Sequence, residues 1–198
     1  MRVDGEIAFV LHTRAYRETS QLVDLFSRRY GRFRVVAKGS RGAKSLTSKS
    51  SKILQPFTPL QISWSGKGEL KTLLSSETVM ALPLLQGERL YSGFYLNELL
   101  LRLLTEHDPH EQLFDQYHDT LMQLSRNDSL ETLLRTFELR LLEEIGYGLV
   151  VDIDAESGEP VREEGWYWFD PQQGFVERLP PQGNDQNPVG SVAIVCCR

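Results

Sequence analysis

"GRFRVVAK", residues 31–38, alternates apolar and basic side chains: Phe33, Val35 and Ala37 fall on one phase, Arg32, Arg34 and Lys38 on the other, and Val36 breaks the pattern. A period of two marks a strand with one face turned to a core and the other outward. Tyr30-Gly31 supplies a turn before it. The surrounding chain repeats the pattern. Ile7, Phe9 and Leu11 alternate with Ala8, Val10 and His12; "QLVDLFS" (21–27) follows; Leu60, Ile62 and Trp64 alternate with Gln61, Ser63 and Ser65; "WSGKGE" (64–69) turns the chain into "LKTLLSSETV" (70–79). Five short strands with no helical period between most of them predict a small barrel of OB-fold size over residues 1–80, with an SH3-like barrel as the alternative.

After Pro83 the period becomes 3.6. "GERLYSGFYLNELLLRLLTEH" (87–107) is apolar around much of its circumference, which predicts a buried central helix; Arg89, Asn97, Glu98 and Arg102 exclude a membrane span. Asp108-Pro109-His110-Glu111 reads as a capped start, and Leu113, Phe114, Tyr117, Leu121 and Leu124 form the stripe behind it. Asp128 with Glu131 caps a third helix carrying Leu130, Leu133, Leu134, Phe137, Leu141 and Ile145, which Gly146 ends. Residues 81–150 are therefore predicted to be an all-α domain. In 151–198, "WYWFDPQQGFVE" (166–177) reads as a hairpin and "PPQGNDQNPVG" (180–190) as a loop or flexible tail. The fold class is α+β.

Charge divides the chain. Residues 1–80 hold 14 Lys and Arg against 6 Asp and Glu, a net of +8; the remainder holds 8 against 21, a net of -13, so the overall -5 conceals a basic front half. Between Leu25 and Gly68 there are ten basic residues and no acid, interleaved with Phe33, Phe57 and Trp64. Phosphate-binding charge with aromatic rings is the composition of a single-strand nucleic-acid site. The candidate contacts are Arg28, Arg32, Arg34, Lys38, Arg41, Lys44, Lys49, Lys52, Lys67 and Lys71. Phe33 and Trp64 sit on the apolar phase, where core is the commoner role. The Ser, Gly and Lys rich connection from Gly39 to Lys52 is expected to be a mobile basic loop.

Catalytic constellations do not form. "GSRGAKS" (39–45) resembles a P-loop but places Ala43 between Gly42 and Lys44. His110 and His118 are eight residues apart and His107 precedes the helix cap, so no two stand one turn apart on a helix as metal ligands would. No strained elbow presents a serine. Cys196 and Cys197 are adjacent, so they frame neither a disulfide scaffold nor a C-x-x-C site. The N-terminus does not read as a signal peptide, and no apolar run approaches the roughly 20 residues of a membrane span. The expectation is a cytoplasmic protein, not an enzyme, with no cofactor and no metal.

"VLHTRAYRETS", "GRFRVVAKGSR", "LQPFTPLQISWSGKGELKTL", "LYSGFYLNELLLRLL", "RTFELRLLEEIGYG" and "SGEPV" succeed one another as in the bacterial RecO recombination mediator family, which this chain resembles over about residues 5–176. The resemblance implies an OB-fold followed by a helical domain. It further implies binding of single- and double-stranded DNA, annealing of complementary strands at the bacterial nucleoid, and, with RecR, loading of RecA onto DNA coated by single-stranded DNA-binding protein (SSB). Arg135 matches a basic position of the groove that takes the acidic SSB tail; a pair with Glu131 or Glu138 is the alternative for it. Many family members carry a zinc-binding C-x-x-C after "GYG"; Asp154 and Ser157 stand there, so no zinc is implied. Family members also continue with further helical sequence. An RNA-binding or ribosome-associated OB protein would share the basic strands and is the rival reading.

Overall fold

A computed structural model describes residues 1–40, 54–68, 70–80, 82–126, 129–150, 152–162, 165–170, 173–178 and the backbone of 192–195. The predicted contacts Arg41, Lys44, Lys49 and Lys52, and most of the P-loop-like segment, lie outside the described residues.

The five predicted strands are β1 (Arg2–Tyr16), β2 (Ser20–Ser27), β3 (Gly31–Ala37), β4 (Pro59–Ser65) and β5 (Lys71–Thr78). They close in the order β1-β2-β3-β5-β4, every pairing antiparallel except β3 with β5. This is the OB-fold barrel. Its interior holds Val10, Val23, Leu25, Phe33, Val35, Ala37, Leu60, Ile62, Trp64 and Leu73, all buried in one cluster; β3 and β4 insert the apolar phase read from the sequence, whereas β1 turns Ala8 and Val10 inward and Phe9 and Leu11 toward the helices. Phe33 and Trp64 are thus core, their rings 4.7 Å apart, and are not stacking platforms.

β1 is far longer than the alternation around Ile7–His12 suggests. It serves both β2 and β4, and its register shifts between Val3 and Glu6 and again between Val10 and His12. Such bulges bend one strand round two edges of a barrel.

The three helices are α1 (Glu88–Leu103), α2 (Glu111–Leu124) and α3 (Leu130–Glu144). They do not form a separate core. Leu96, Leu100, Leu113, Phe114, Tyr117, Leu121, Phe137 and Leu141 share one cluster with Phe9, Leu11 and Phe26 of the barrel wall, and Met1–Ile145 is a single compact unit. Contrary to the expectation of a central buried helix, α1 buries only Ser92, Gly93, Leu96, Asn97 and Leu100, while Tyr91, Phe94, Tyr95 and Leu103 are exposed. Residues one turn apart share a stripe, so packing along one side of α1 leaves its other apolar residues in water. At Gly93 the stripe touches the barrel side closely, since a Cβ there would lie 2.9 Å from the Phe57 ring.

α2 begins at Glu111 behind His110, not at Pro109 behind Asp108. The reason is tertiary. The His107 N–H donates to the Arg32 carbonyl at 2.8 Å, Glu106 forms a parallel bridge with Arg32, and Gly31 abuts the Asp108 backbone so tightly that a Cβ would come within 1.9 Å of its carbonyl oxygen. The segment before Pro109 is pinned to β3 and cannot turn into the helix. Ser129, rather than Asp128, holds the position before α3; Asp128 is outside the described residues. Gly146, at φ 84°, follows the last turn as predicted.

Gly146–Arg198 is a second compact unit. β6 (Trp166–Asp170) and β7 (Gly174–Glu177) are the expected hairpin. β8 (Val192–Val195), which the sequence reading did not anticipate, pairs with the free edge of β6 in the order β7-β6-β8. No helix among the described residues is long and apolar enough to cross a membrane.

Candidate nucleic-acid interface

The outer face of β1-β2-β3 can be read row by row from the register. Phe9, Phe26 and Arg32 form one row, His12, Asp24 and Arg34 the next, then Arg14, Leu22 and Val36, and finally Tyr16 with Ser20; Lys38 follows Ala37 at that same end. The first row lies under the helices, where Phe9 and Phe26 contact Phe114 at 5.4 and 5.5 Å. In the remaining rows Asp24, Leu22, Val36 and Ser20 are also buried. Those rows present His12, Arg14 and Lys38 as exposed side chains and Arg34 as a partly exposed one.

Three of the predicted DNA contacts are engaged by acids. Arg32 donates through Nε to the Leu104 carbonyl at 3.1 Å and pairs with Glu106 at 3.2 Å; only 13% of its side chain is exposed. Arg34 donates to the buried Asp24 at 2.9 Å and reaches Glu106 at 3.3 Å, which raises its pKa, chiefly through the Asp24 hydrogen bond. Arg28 bridges to α2, at 2.6 Å from Glu111 and 3.2 Å from Asp115. These arginines brace the barrel against the helices, and their charge is largely compensated in place. Arg29 likewise pairs with the buried Glu6.

Lys38 and Lys67 are exposed. Lys71 is half-buried: its ammonium sits 3.1 Å from His107 Nε2 and 5.7 Å from the Phe33 ring centroid, and burial pulls its pKa below the ordinary lysine value while Glu106 acts the other way. Arg14, Tyr16 and Arg17 were not among the predicted contacts. They fall just before the basic run, and only the strand register aligns them with Lys38. Among the described residues no carboxylate lies within ion-pair distance of Arg14, Arg17 or Lys38.

Arg135, on α3, is exposed and pairs with Glu138, one of the two alternatives the sequence offers. Glu138 also accepts a hydrogen bond from the Tyr95 hydroxyl at 2.6 Å, so Tyr95, Glu138 and Arg135 form a chain from α1 to α3. A groove of about 350 Å3 lies between α2 and α3, lined by Thr120, Leu133, Thr136, Phe137 and Arg140; Arg135 does not line it.

In the second unit, Asp154 and Ser157 close a turn of their own. The Ser157 hydroxyl donates to Asp154 Oδ2 at 2.6 Å, and the Glu156 and Glu177 N–H groups donate to Oδ1, both at 3.2 Å. These bonds, the Ser157 one first, hold the Asp154 carboxyl below its ordinary pKa. A carboxylate and a hydroxyl are not the thiolate and imidazole donors of a structural zinc site.

Two family models match in succession, Recombination protein O N terminal over residues 1–82 and Recombination protein O C terminal over residues 84–194. The chain belongs to the RecO family. It is 46% identical over 198 residues to the DNA repair protein RecO of Methylococcus capsulatus, covering all of this chain and 78% of that one. Against the DNA repair proteins RecO of Actinobacillus succinogenes and Pseudomonas paraeruginosa the identities are 48% over 172 residues and 44% over 179, covering 86% and 89% of this chain and 71% and 73% of theirs. The boundary between the two RecO models, at 82–84, coincides with the passage from the β5 strand to the helices, although in this RecO-family fold the two halves share one apolar cluster.

Proposed function

We propose that this RecO-family chain acts in DNA repair as a DNA-binding, strand-annealing recombination mediator. It neutralises phosphates with the exposed basic side chains on the outer face of its OB barrel and works through contacts rather than bond-making chemistry. The observation that carries the reading is that face, where Arg14 and Lys38 are exposed in consecutive rows with no carboxylate of the described residues at ion-pair distance. Neutralising phosphates on two strands lowers their mutual repulsion, so complementary bases can pair.

The finer steps extend this reading. Together with RecR the protein helps load RecA onto SSB-coated single-stranded DNA, and the helical part tethers the acidic SSB tail at Arg135. A guanidinium suits a carboxylate partner, and Tyr91, Tyr95 and Leu139 are exposed on the same two helices as apolar neighbours. An incoming tail would have to displace Glu138 from Arg135, an exchange of one carboxylate for another.

Annealing of complementary DNA with and without SSB tests the reading, alongside titration of single strands against salt. Contact with about five phosphates gives a log-log slope near -3.5. A flat salt response, or matched RNA outcompeting DNA, would overturn it; the second result would favour an RNA-binding OB protein.

A further inference from the structure

We propose that the turn joining β1 to β2 is a single-strand stacking subsite, in which Tyr16 takes a DNA base while Arg14, Arg17 and Lys38 hold the flanking phosphates. The inference rests on the DNA-binding reading above and deepens it by naming the strand form and the residues.

Three independent observations meet at this turn. Tyr16 forms the last pair of the β1–β2 ladder, with Ser20, so its backbone is fixed by the sheet at the end of that ladder. The Arg17 guanidinium lies over the Tyr16 ring, 5.3 Å from its centroid. Arg17 itself has φ 54°, a left-handed conformation that is costly for a residue with a Cβ and that recurs at binding sites, where surrounding structure sustains it. The cation over the ring is an occupant that a base can replace: the ring face passes to the base, and the guanidinium moves to a phosphate. Lys38 stands two strands away, about 10 Å across the sheet at the usual strand spacing, and Arg14 one row back on the same face. Glu18 is the acid of the turn, and it is exposed.

The ring decides the strand form. In a duplex both faces of each base are covered by neighbouring bases, so only an unstacked base offers a face to tyrosine. Phosphate contacts from Lys38 and Arg14 carry no such restriction.

The test compares the wild-type chain with Tyr16→Ala, Tyr16→Leu, Tyr16→Phe and Lys38→Ala, by fluorescence anisotropy on an oligo-dT strand and on a duplex of equal length, at several salt concentrations. Tyr16→Ala and Tyr16→Leu are expected to lose about tenfold in single-strand affinity. Their salt slope and duplex binding should stay unchanged, because no charge is removed. Tyr16→Phe retains wild-type affinity. Lys38→Ala weakens both DNA forms and lowers the single-strand slope by about 0.7. Single-strand affinity of both Tyr16→Ala and Tyr16→Leu within twofold of wild type, or an equal loss on duplex, overturns the subsite while leaving the DNA-binding reading standing. Wild-type protein that binds neither DNA overturns both. Tyr16→Leu keeps apolar bulk at this half-buried position, so a loss in that variant reports the π face and not a packing defect.

Discussion

Asn97 of α1 donates through Nδ2 to the Leu11 carbonyl of β1 at 2.8 Å, with both groups buried. Leu11 sits where the β1 register slips between Val10 and His12, and Asn97 meets its carbonyl there from the helix side. The other end of the Asn97 amide accepts a hydrogen bond from Tyr117 of α2, whose hydroxyl burial pushes to a raised pKa and so keeps protonated as a donor. One side chain thus ties a bulge of the barrel to two helices.

Asn97→Ala leaves the Leu11 carbonyl and the Tyr117 hydroxyl buried without this partner. A loss of about 3 kcal/mol in unfolding free energy is expected, read from urea denaturation. Tyr117→Phe strands only the amide oxygen and should cost about 1–2 kcal/mol. A smaller effect for Asn97→Ala than for Tyr117→Phe would contradict the shared link.

The two kinds of arginine should separate experimentally. Arg32→Ala removes a mostly buried side chain bonded to Leu104 and Glu106, and should destabilise the fold by about 2 kcal/mol while leaving the DNA salt slope near that of the wild type. Arg28→Ala breaks solvent-exposed pairs with Glu111 and Asp115 and should change stability much less than Arg32→Ala. Paired thermal melts and salt titrations of the two variants, set beside Lys38→Ala, check the division between bracing and phosphate-facing charge.

Gly31→Ala is expected to be among the most disruptive single-methyl additions. The position has φ 61°, and the added Cβ would collide with the Asp108 carbonyl oxygen, so both backbone conformation and the β3 contact with the segment before α2 are lost. A cost of roughly 3 kcal/mol or more follows, measurable as a fall in denaturation midpoint. Gly39→Ala has a positive φ but nothing within 4 Å, and should cost only about 1 kcal/mol.

Acid should loosen the second unit through Asp154. Its pKa is lowered in the fold, so the stabilisation is fully present above the ordinary carboxylate value of 3.8 and is lost as pH falls through the lowered one. Glu156, held low by Arg178, acts in the same direction. Trp166 and Trp168 belong to that unit's sheet, and their fluorescence should shift in this acid window. Asp154→Asn should abolish the part of that shift that comes from Asp154.

The existence of the five barrel strands and the three helices was legible in the sequence because it depends on local periodicity: alternation in "GRFRVVAK" sets which side of β3 enters the core, and Gly146 ends α3 by its own backbone freedom; the length of β1 and the strand at 192–195 were not. The helix start at Glu111 was not legible, because what delays it is the clasp of residues 106–108 on Gly31 and Arg32. Nor was the half-exposed character of α1, since its apolar residues are distributed for more partners than one stripe of packing supplies.

Sequence by itself determined that positive charge gathers in the barrel half, and the family to which the chain belongs. Which of those charges remain available was decided only by the tertiary structure. Arg28 meets Asp115 across 87 residues of chain and Arg32 meets Glu106 across 74, separations that no local pattern connects. Counting charges along a chain is blind to such pairs, because compensation depends on distance in space. The same folding that neutralises Arg28, Arg32 and Arg34 aligns Arg14 and Tyr16 with Lys38 through the register of three strands, and so moves the candidate contact from the middle of β3 toward the turn at its open end.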